Sequence, residues 1–197
     1  MLTQLSTLKA RLAILDTDTT NDLLLTAAIN AVTARFDRET NRTLARTVGA
    51  AFEFDADQTE LCVSCYPVES VGRFELKSSE AEGWVEQAGV EYLIRRGCVI
   101  SLGRALGTAR GLGRVLYTGG YVLPGSPPLE PPVPSSQNLP SDLEQAAVEQ
   151  VAYWFQNRER LGLTRIWDYH ATYRQFAGQD LLVSVQAVLE RHTRWSL

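Results

Sequence analysis

Apolar residues recur along this chain at two different periods, and the switches between them divide it. Leu5, Leu8, Leu12 and Leu15 fall at helical spacing before the run "DTDTT" breaks the pattern. Asp and Thr suit such a break because their side chains bond nearby backbone N–H groups in turns and caps. Leu25, Ile29, Val32 and Phe36 then stand at i, i+4, i+7 and i+11, which predicts a longer helix over residues 21–40 with one apolar stripe. Ala27, Ala28, Ala31 and Ala34 flank that stripe. Small residues let another helix come close, and the pattern is that of a helical hairpin in a core.

From residue 48 to residue 121 the period shortens to two. "AAFEF", "ELCVSC", "SVGRFELK", "GWVEQ", "EYLIR", "CVISL" and "RVLYTGGY" read as short strands, separated by the turn signals "DADQ", "SSEAEG" and "RRG". Residues 124–140 then hold seven of the eight prolines, which excludes a helix or a central strand and predicts an extended connector. Helical spacing returns in "LPSDLEQAAVEQVAYWFQNRERLG", where Ser141 and Glu144 make an S-x-x-E capping box. Leu143, Ala147, Val151, Trp154 and Arg158 lie along one line of this helix, with Val148 and Phe155 on one side and Ala146 and Tyr153 on the other. The polar strip of Gln145, Glu149, Gln156 and Arg160 is narrow. The helix therefore needs more than one neighbour, in its own chain or in another subunit. Leu182, Val185 and Leu189 mark a last amphipathic helix.

These elements predict an α+β chain: an N-terminal helical hairpin at 1–47, a β-rich insert at 48–121, a proline-rich connector at 122–140, and C-terminal helices with a tail at 141–197. Segments 1–47 and 141–197 are expected to pack together as one small helical bundle.

Composition narrows the function. The chain has 197 residues, 45% of them hydrophobic and 21% charged, as in ordinary globular proteins. A net charge of −4 argues against a general nucleic-acid or membrane-surface binder. No stretch approaches the roughly 20 apolar residues of a membrane span, and Lys9 and Arg11 interrupt what would be a signal peptide's apolar region. Three cysteines do not make a disulfide framework, so folding in a reducing cytoplasm is expected.

Charge is divided within the β-rich segment. Ten acidic residues lie from Glu53 to Glu91 against Arg73 and Lys77, whereas five arginines and no acid lie from Arg95 to Arg114. Such a split reads as two differently solvated faces, or as a surface that meets a charged partner or sits beside DNA. The glycine-rich "GRALGTARGLGR" lacks the ending of a P-loop and the dinucleotide fingerprint, and reads as a mobile surface loop.

Cys62 and Cys65 form a C-x-x-C pair, a spacing used by zinc and thiol redox centres. The strand pattern around them sends the two side chains to opposite faces, so they can neither share one ion nor pair with each other. Other candidate ligands, Cys98, His170 and His192, are distant in sequence. Asp168 and His170 have no nucleophile beside them, and no catalytic constellation emerges. Catalytic, cofactor-binding and metal residues are therefore expected to be absent. Two rival readings stay open: a metal-dependent protein using Cys62, Cys65, His170 and His192, and a cytoplasmic nucleic-acid binder using the arginines from Arg95 to Arg114.

The order of the pieces resembles the head–tail connector, or adaptor, proteins of tailed bacteriophages, which also occur in gene transfer agents. The opening "LTQLSTLKARLAI" through "NDLLLTAAINAVTARFDRETNR", the stretch "RVLYTGGY" before a proline-rich gap and "LPSDLEQAAVEQVAYWFQNRERLG", and the closing "LLVSVQAVLERHTRW" carry the resemblance. It covers both helical zones. The β-rich insert departs from the shorter, almost wholly helical members. The resemblance implies a structural virion protein without enzymatic activity or cofactor, made in the bacterial host cytoplasm and located in the particle neck. It implies a homo-oligomeric ring, commonly of twelve subunits, beneath the portal protein, presenting a surface to a stopper or tail-completion protein. Packaged DNA passes through the ring without specific binding, and no membrane is involved.

Two sets of residues are candidates within that picture. A channel that passes DNA should not grip its phosphates, which makes Glu53, Asp55, Asp57 and Glu60, in the most acidic segment, candidates to face it. The chain closes with "RHTRWSL", where Arg191 and Arg194 surround Trp195 and precede Leu197. Trp and Arg are enriched at interface hot spots. These four residues are candidates to dock into the portal, as the tails of the resembling adaptors do, unless Trp195 folds back onto its own helices.

Overall fold

The computed structural model describes residues 1–127, 137–159, 165–167, 173–175 and 180–194, the short strands at 165–167 and 173–175 by their backbone. In chain order the elements are α1 Leu5–Arg11, α2 Asp22–Glu39, β1 Thr47–Asp55, β2 Glu60–Cys62, β3 Val68–Lys77, β4 Val85–Gln87, β5 Tyr92–Arg95, β6 Val99–Leu102, β7 Leu112–Gly119, α3 Ser141–Gln156, β8 Arg165–Trp167, β9 Tyr173–Gln175 and α4 Val183–His192. They form two compact units, one of Met1–Thr40 with Leu139–Thr193, the other of Asn41–Asn138 with Arg194–Leu197. The fold is α+β.

In the helical unit, α3 packs against α1, α2 and α4. This accounts for its wide apolar arc: Leu143, Ala146, Ala147, Val148, Val151 and Ala152 are all buried within the chain. Gln150 is buried among them, and its side-chain oxygen accepts a hydrogen bond from the Leu182 N–H at the start of α4 (2.8 Å). The stripe of α2 is buried as the periodicity predicts, at Leu25, Ile29, Val32 and Phe36. Burying a side chain such as Phe36 contributes about 2–3 kcal/mol.

Two local expectations are corrected. The first helix stops before Leu12, and Leu15 is exposed. Ala13 adopts φ +56°, and the N–H groups of Ile14 and Ala13 bond the carbonyls of Lys9 (2.9 Å) and Ala10 (3.3 Å). That is a Schellman ending with alanine in the position glycine favours. At α3 the S-x-x-E box does not form. Pro140 occupies the N-cap, with no side-chain cap. The Pro140 carbonyl accepts from Leu143 and Glu144 at 3.1 and 3.2 Å, and Asp142 accepts from the Leu143 N–H at 2.9 Å.

The β-rich unit holds an antiparallel sheet of order β1-β7-β3-β4 and a second of order β2-β6-β5. Inward positions of both supply one core: Phe54, Leu61, Val63, Cys65, Val68, Phe74, Ile100, Leu102, Val115 and Tyr117. The "TGGY" stretch ends β7 in a crowded crossing. The N–H of Gly120 bonds the Pro67 carbonyl (2.9 Å), that of Tyr121 bonds the Leu44 carbonyl (2.8 Å), and the Tyr121 carbonyl accepts from Arg46 (2.8 Å). The Tyr117 hydroxyl accepts from the Cys65 N–H at 3.0 Å. In the helical unit, β8 and β9 pair antiparallel.

Candidate assembly surfaces

Strand alternation decides where the charges of the β-rich unit go. Phe52 and Phe54 turn inward, so Glu53 and Asp55 lie on the outer face of β1 and are exposed. Glu53 stands opposite Arg114 on β7, Arg114 opposite Glu75 on β3, and Glu75 opposite Glu86 on β4. Glu75 is buried there because two arginines neutralise it: Arg114 Nε lies 2.7 Å from one carboxylate oxygen and Arg73 Nε 2.9 Å from the other. The Trp84 ring lies against the Arg114 guanidinium, 4.1 Å from its centroid. On the other sheet Arg95 reaches Glu60 at 3.3 Å. The split in sequence is therefore folded into cross-strand ion pairs, and two of the five arginines from Arg95 to Arg114 face carboxylates of their own chain.

The glycine-rich segment is tied down as well. The Ala56 carbonyl accepts from the Gly107 N–H (2.9 Å), and its N–H donates to the Gly111 carbonyl (3.0 Å). A Cβ on Gly107 would come within 3.2–3.3 Å of Leu76 and Ala56. The expected surface loop is thus partly pinned to β1's end, although Arg104 and Arg110 are exposed.

Beyond β2 the alternation continues through the C-x-x-C: Leu61, Val63 and Cys65 are buried, while Cys62, Ser64 and Tyr66 are half-buried. The Cys65 thiol points to the Gly119 carbonyl (3.1 Å). None of the three thiols is in a disulfide. Burial pushes the Cys98 thiol up from its ordinary pKa, and neighbouring Cys62 adds to this against the opposing charge of Arg42 and Arg96. A raised pKa lowers the thiolate fraction on which nucleophilicity depends. Among the described residues no three His, Cys, Asp or Glu side chains gather to hold a metal ion. Arg42, which sequence reasoning passed over, is buried with its guanidinium 3.4 Å from the Tyr66 ring centroid and 5.1 Å from that of Tyr121, and it donates to the Tyr66 carbonyl.

At the C-terminal end α4 runs to His192, so Arg191 stands on the helix, exposed, rather than in a tail. Arg194 belongs with the β-rich unit. Its guanidinium lies 5.5 Å from the Phe52 ring centroid, and it lines an open cleft of about 500 Å³ with Phe52, Asp57, Glu60 and Cys62. The structure thus brings Arg194 together with Asp57 and Glu60, while Glu53 and Asp55 lie on the sheet's outer face. Trp195 and Leu197 lie outside the described residues, as do Asp168 and His170.

His192 and Asp142 approach to 2.9 Å in the helical unit. Burial opposes ionisation of Asp142, but the hydrogen bond and charge of His192 and the Leu143 N–H outweigh it and hold this carboxyl below its usual pKa. A lowered folded pKa contributes stability above the unfolded carboxylate value, about 3.9, and that contribution is lost as pH falls through the folded value. The Asp142 side chain is 44% exposed, so solvent screening keeps the effect within about 1 kcal/mol. Asp142→Asn is expected to flatten the acid limb of a thermal-stability profile below about pH 4 by a corresponding amount; an unchanged limb would remove the pair from the stability balance.

Among the described residues no helix is long and apolar enough to cross a membrane. No protein-family model matches the chain, and no curated protein matches it. Solved structures do share its fold. One is a chain in the neck of an empty gene transfer agent particle computed with C6 symmetry, at a TM-score of 0.59 and 16% identity, covering 98% of this chain and 89% of that one. Another is a chain in the virion of a native gene transfer agent particle, at a TM-score of 0.52 and 19% identity, with the same coverage.

Proposed function

We propose that this chain is a non-enzymatic structural component of the neck of a phage-like particle, a head–tail adaptor whose copies form a ring beneath the portal. The observation that carries the reading is the extent of the shared fold. The similarity to the neck chain spans 98% of this sequence, β-rich unit included, so it is not a match of one common helical hairpin. The C6 symmetry of that neck favours a ring of six or twelve copies; twelve is the number that the resemblance to the adaptors implies. In this reading the segment beyond Thr193, with Arg194, Trp195 and Leu197, docks on the portal. The acidic side chains Glu53, Asp55, Asp57 and Glu60, all exposed, face a channel through which DNA passes unbound, and the opposite end of the ring meets a stopper or tail-completion protein.

The test is electron microscopy of particles from producing cells with this chain tagged. Density for the tag is expected in the neck, in a ring whose lumen carries the four carboxylates. Particles lacking the chain, or carrying it elsewhere, would refute the neck reading. A map with all four carboxylates on the outer rim would remove the channel assignment alone.

A further inference from the structure

The helical unit buries one face of each of two helices and leaves a matching ridge on the opposite side. On α2, Leu23, Ala27 and Ala31 stand at i, i+4 and i+8, opposite the buried Leu25, Ile29, Val32 and Phe36, and all three are exposed. Leu23 is 89% exposed, with Leu24 beside it also exposed. No ionisable residue lies between Asp22 and Arg35, where a helix facing only water would carry several. On α4, Val183, Ala187 and Arg191 stand at the same spacing opposite the buried Val185 and Leu189, again all exposed, Val183 at 81%.

We infer that the α4 ridge of one copy packs against the α2 ridge of the next, the two helices antiparallel. The proposal rests on the ring reading and assigns its subunit contact. Two i, i+4 ridges interdigitate in the commonest class of helix packing. With Ala27 opposite Ala187, the backbones approach closely, Val183 falls on Ala31, and Leu23 lies along the aliphatic stem of Arg191.

Charge selects the direction. Exposed Asp16 and Asp18 precede α2, and exposed Arg38 lies in its last turn. Asp180 precedes α4 and is 84% exposed although Arg35 lies 3.8 Å away, and Arg191 lies in the last turn of α4. The antiparallel alignment sets Arg191 toward Asp16 and Asp18, and Asp180 toward Arg38. A parallel one sets Asp180 against Asp16 and Asp18, and Arg191 against Arg38, with exposed Glu190 beside Arg191 softening the contrast at that end. Antiparallel helix dipoles add in the same sense. Each copy carries both ridges, so the contact is heterologous and repeats head to tail, as a closed ring requires.

The experiment is sedimentation velocity of the full chain over a concentration series, with Ala27→Glu and Ala187→Glu. Each variant alone is expected to self-associate about a hundredfold or more weakly than the unmodified chain, through burial of an unpaired charge, with unchanged circular dichroism. Because each variant blocks a different ridge, their equimolar mixture is expected to form dimers that grow no further. Variants that associate normally, a mixture that stays monomeric, or an unmodified chain monomeric up to about 1 mM would overturn the contact. The neck reading is decided separately by imaging, so a chain that assembles through another surface in the neck would sink this inference alone.

Discussion

Replacing Gly120 with alanine is expected to destabilise the β-rich unit by about 4 kcal/mol. Two causes act together. Gly120 has φ +97°, a region that side chains rarely enter, and a Cβ there would stand 2.6 Å from the Ala45 carbonyl oxygen and 2.9 Å from the Arg46 Cα. Both neighbours are backbone, and the Arg46 and Tyr121 hydrogen bonds that fix them cannot lengthen without loosening the crossing. Gly83→Ala separates the causes. Gly83 also has positive φ, +71°, but nothing lies within 4 Å of its would-be Cβ, so a cost of only about 1 kcal/mol is expected. Chemical denaturation of both variants is the measurement. Equal losses would mean that residues 45–46 move aside at little cost.

Lys9→Met is expected to cost about 3 kcal/mol, again a large share of a domain's stability. The Lys9 side chain is 4% exposed, with its ammonium 2.6 Å from the Asp22 carboxylate and within 3.2 and 2.8 Å of the carbonyls of Asp16 and Asp18. One cation thus ties the turn after α1 to the start of α2. Methionine can fill the stem's volume but leaves a partly buried carboxylate and two carbonyls without their donor. A shift of the denaturation midpoint no larger than that of Lys77→Met, a surface lysine paired with exposed Glu80 at 2.6 Å, would show that water replaces the ammonium freely.

Lys9 also shows what was legible in the sequence and what was not. The stripe of α2, the strands and the buried side of α3 were readable because periodicity records which face leaves water. Lys9 looked like an interruption of an apolar run, since no pattern of spacing distinguishes a buried, fully bonded cation from a solvated one. The end of α1 was misjudged for a related reason. Leu12 and Leu15 continue the helical spacing, but a left-handed Ala13 and the carbonyls that Lys9 collects override it. Ser141 and Glu144 matched a capping box by composition, whereas Pro140 fixed the chain one residue earlier.

The candidate surfaces were legible in part. Glu53 and Asp55 were singled out for lying in an acidic segment, and the inward turn of Phe52 and Phe54 leaves both exposed on β1. The charge split, however, invited a reading in blocks that antiparallel pairing undoes, because strands distant in sequence become neighbours. The width of α3's arc required more than one neighbour and left open whether these lay in its own chain or in another subunit. Three helices of its own chain cover that arc, and the uncovered apolar surface belongs to α2, whose exposed alanines were read as core.

The helical unit is drawn from two stretches of the chain, with Asn41–Asn138 of the β-rich unit between them. A ribosome makes α2 first, and about a hundred residues must follow before α3 appears to cover its stripe, some 5–20 s at ordinary elongation rates. During that interval the stripe of Leu25, Ile29, Val32 and Phe36 lacks α3, while β1 to β7 can close on themselves. The β-rich unit is then a folded body carried on an unfinished one, and an early outer contact at Leu23 and Ala27 would meet no formed α4. If copies join through α2 and α4 as inferred above, the order of synthesis delays contact between two nascent chains until each has made its own α4.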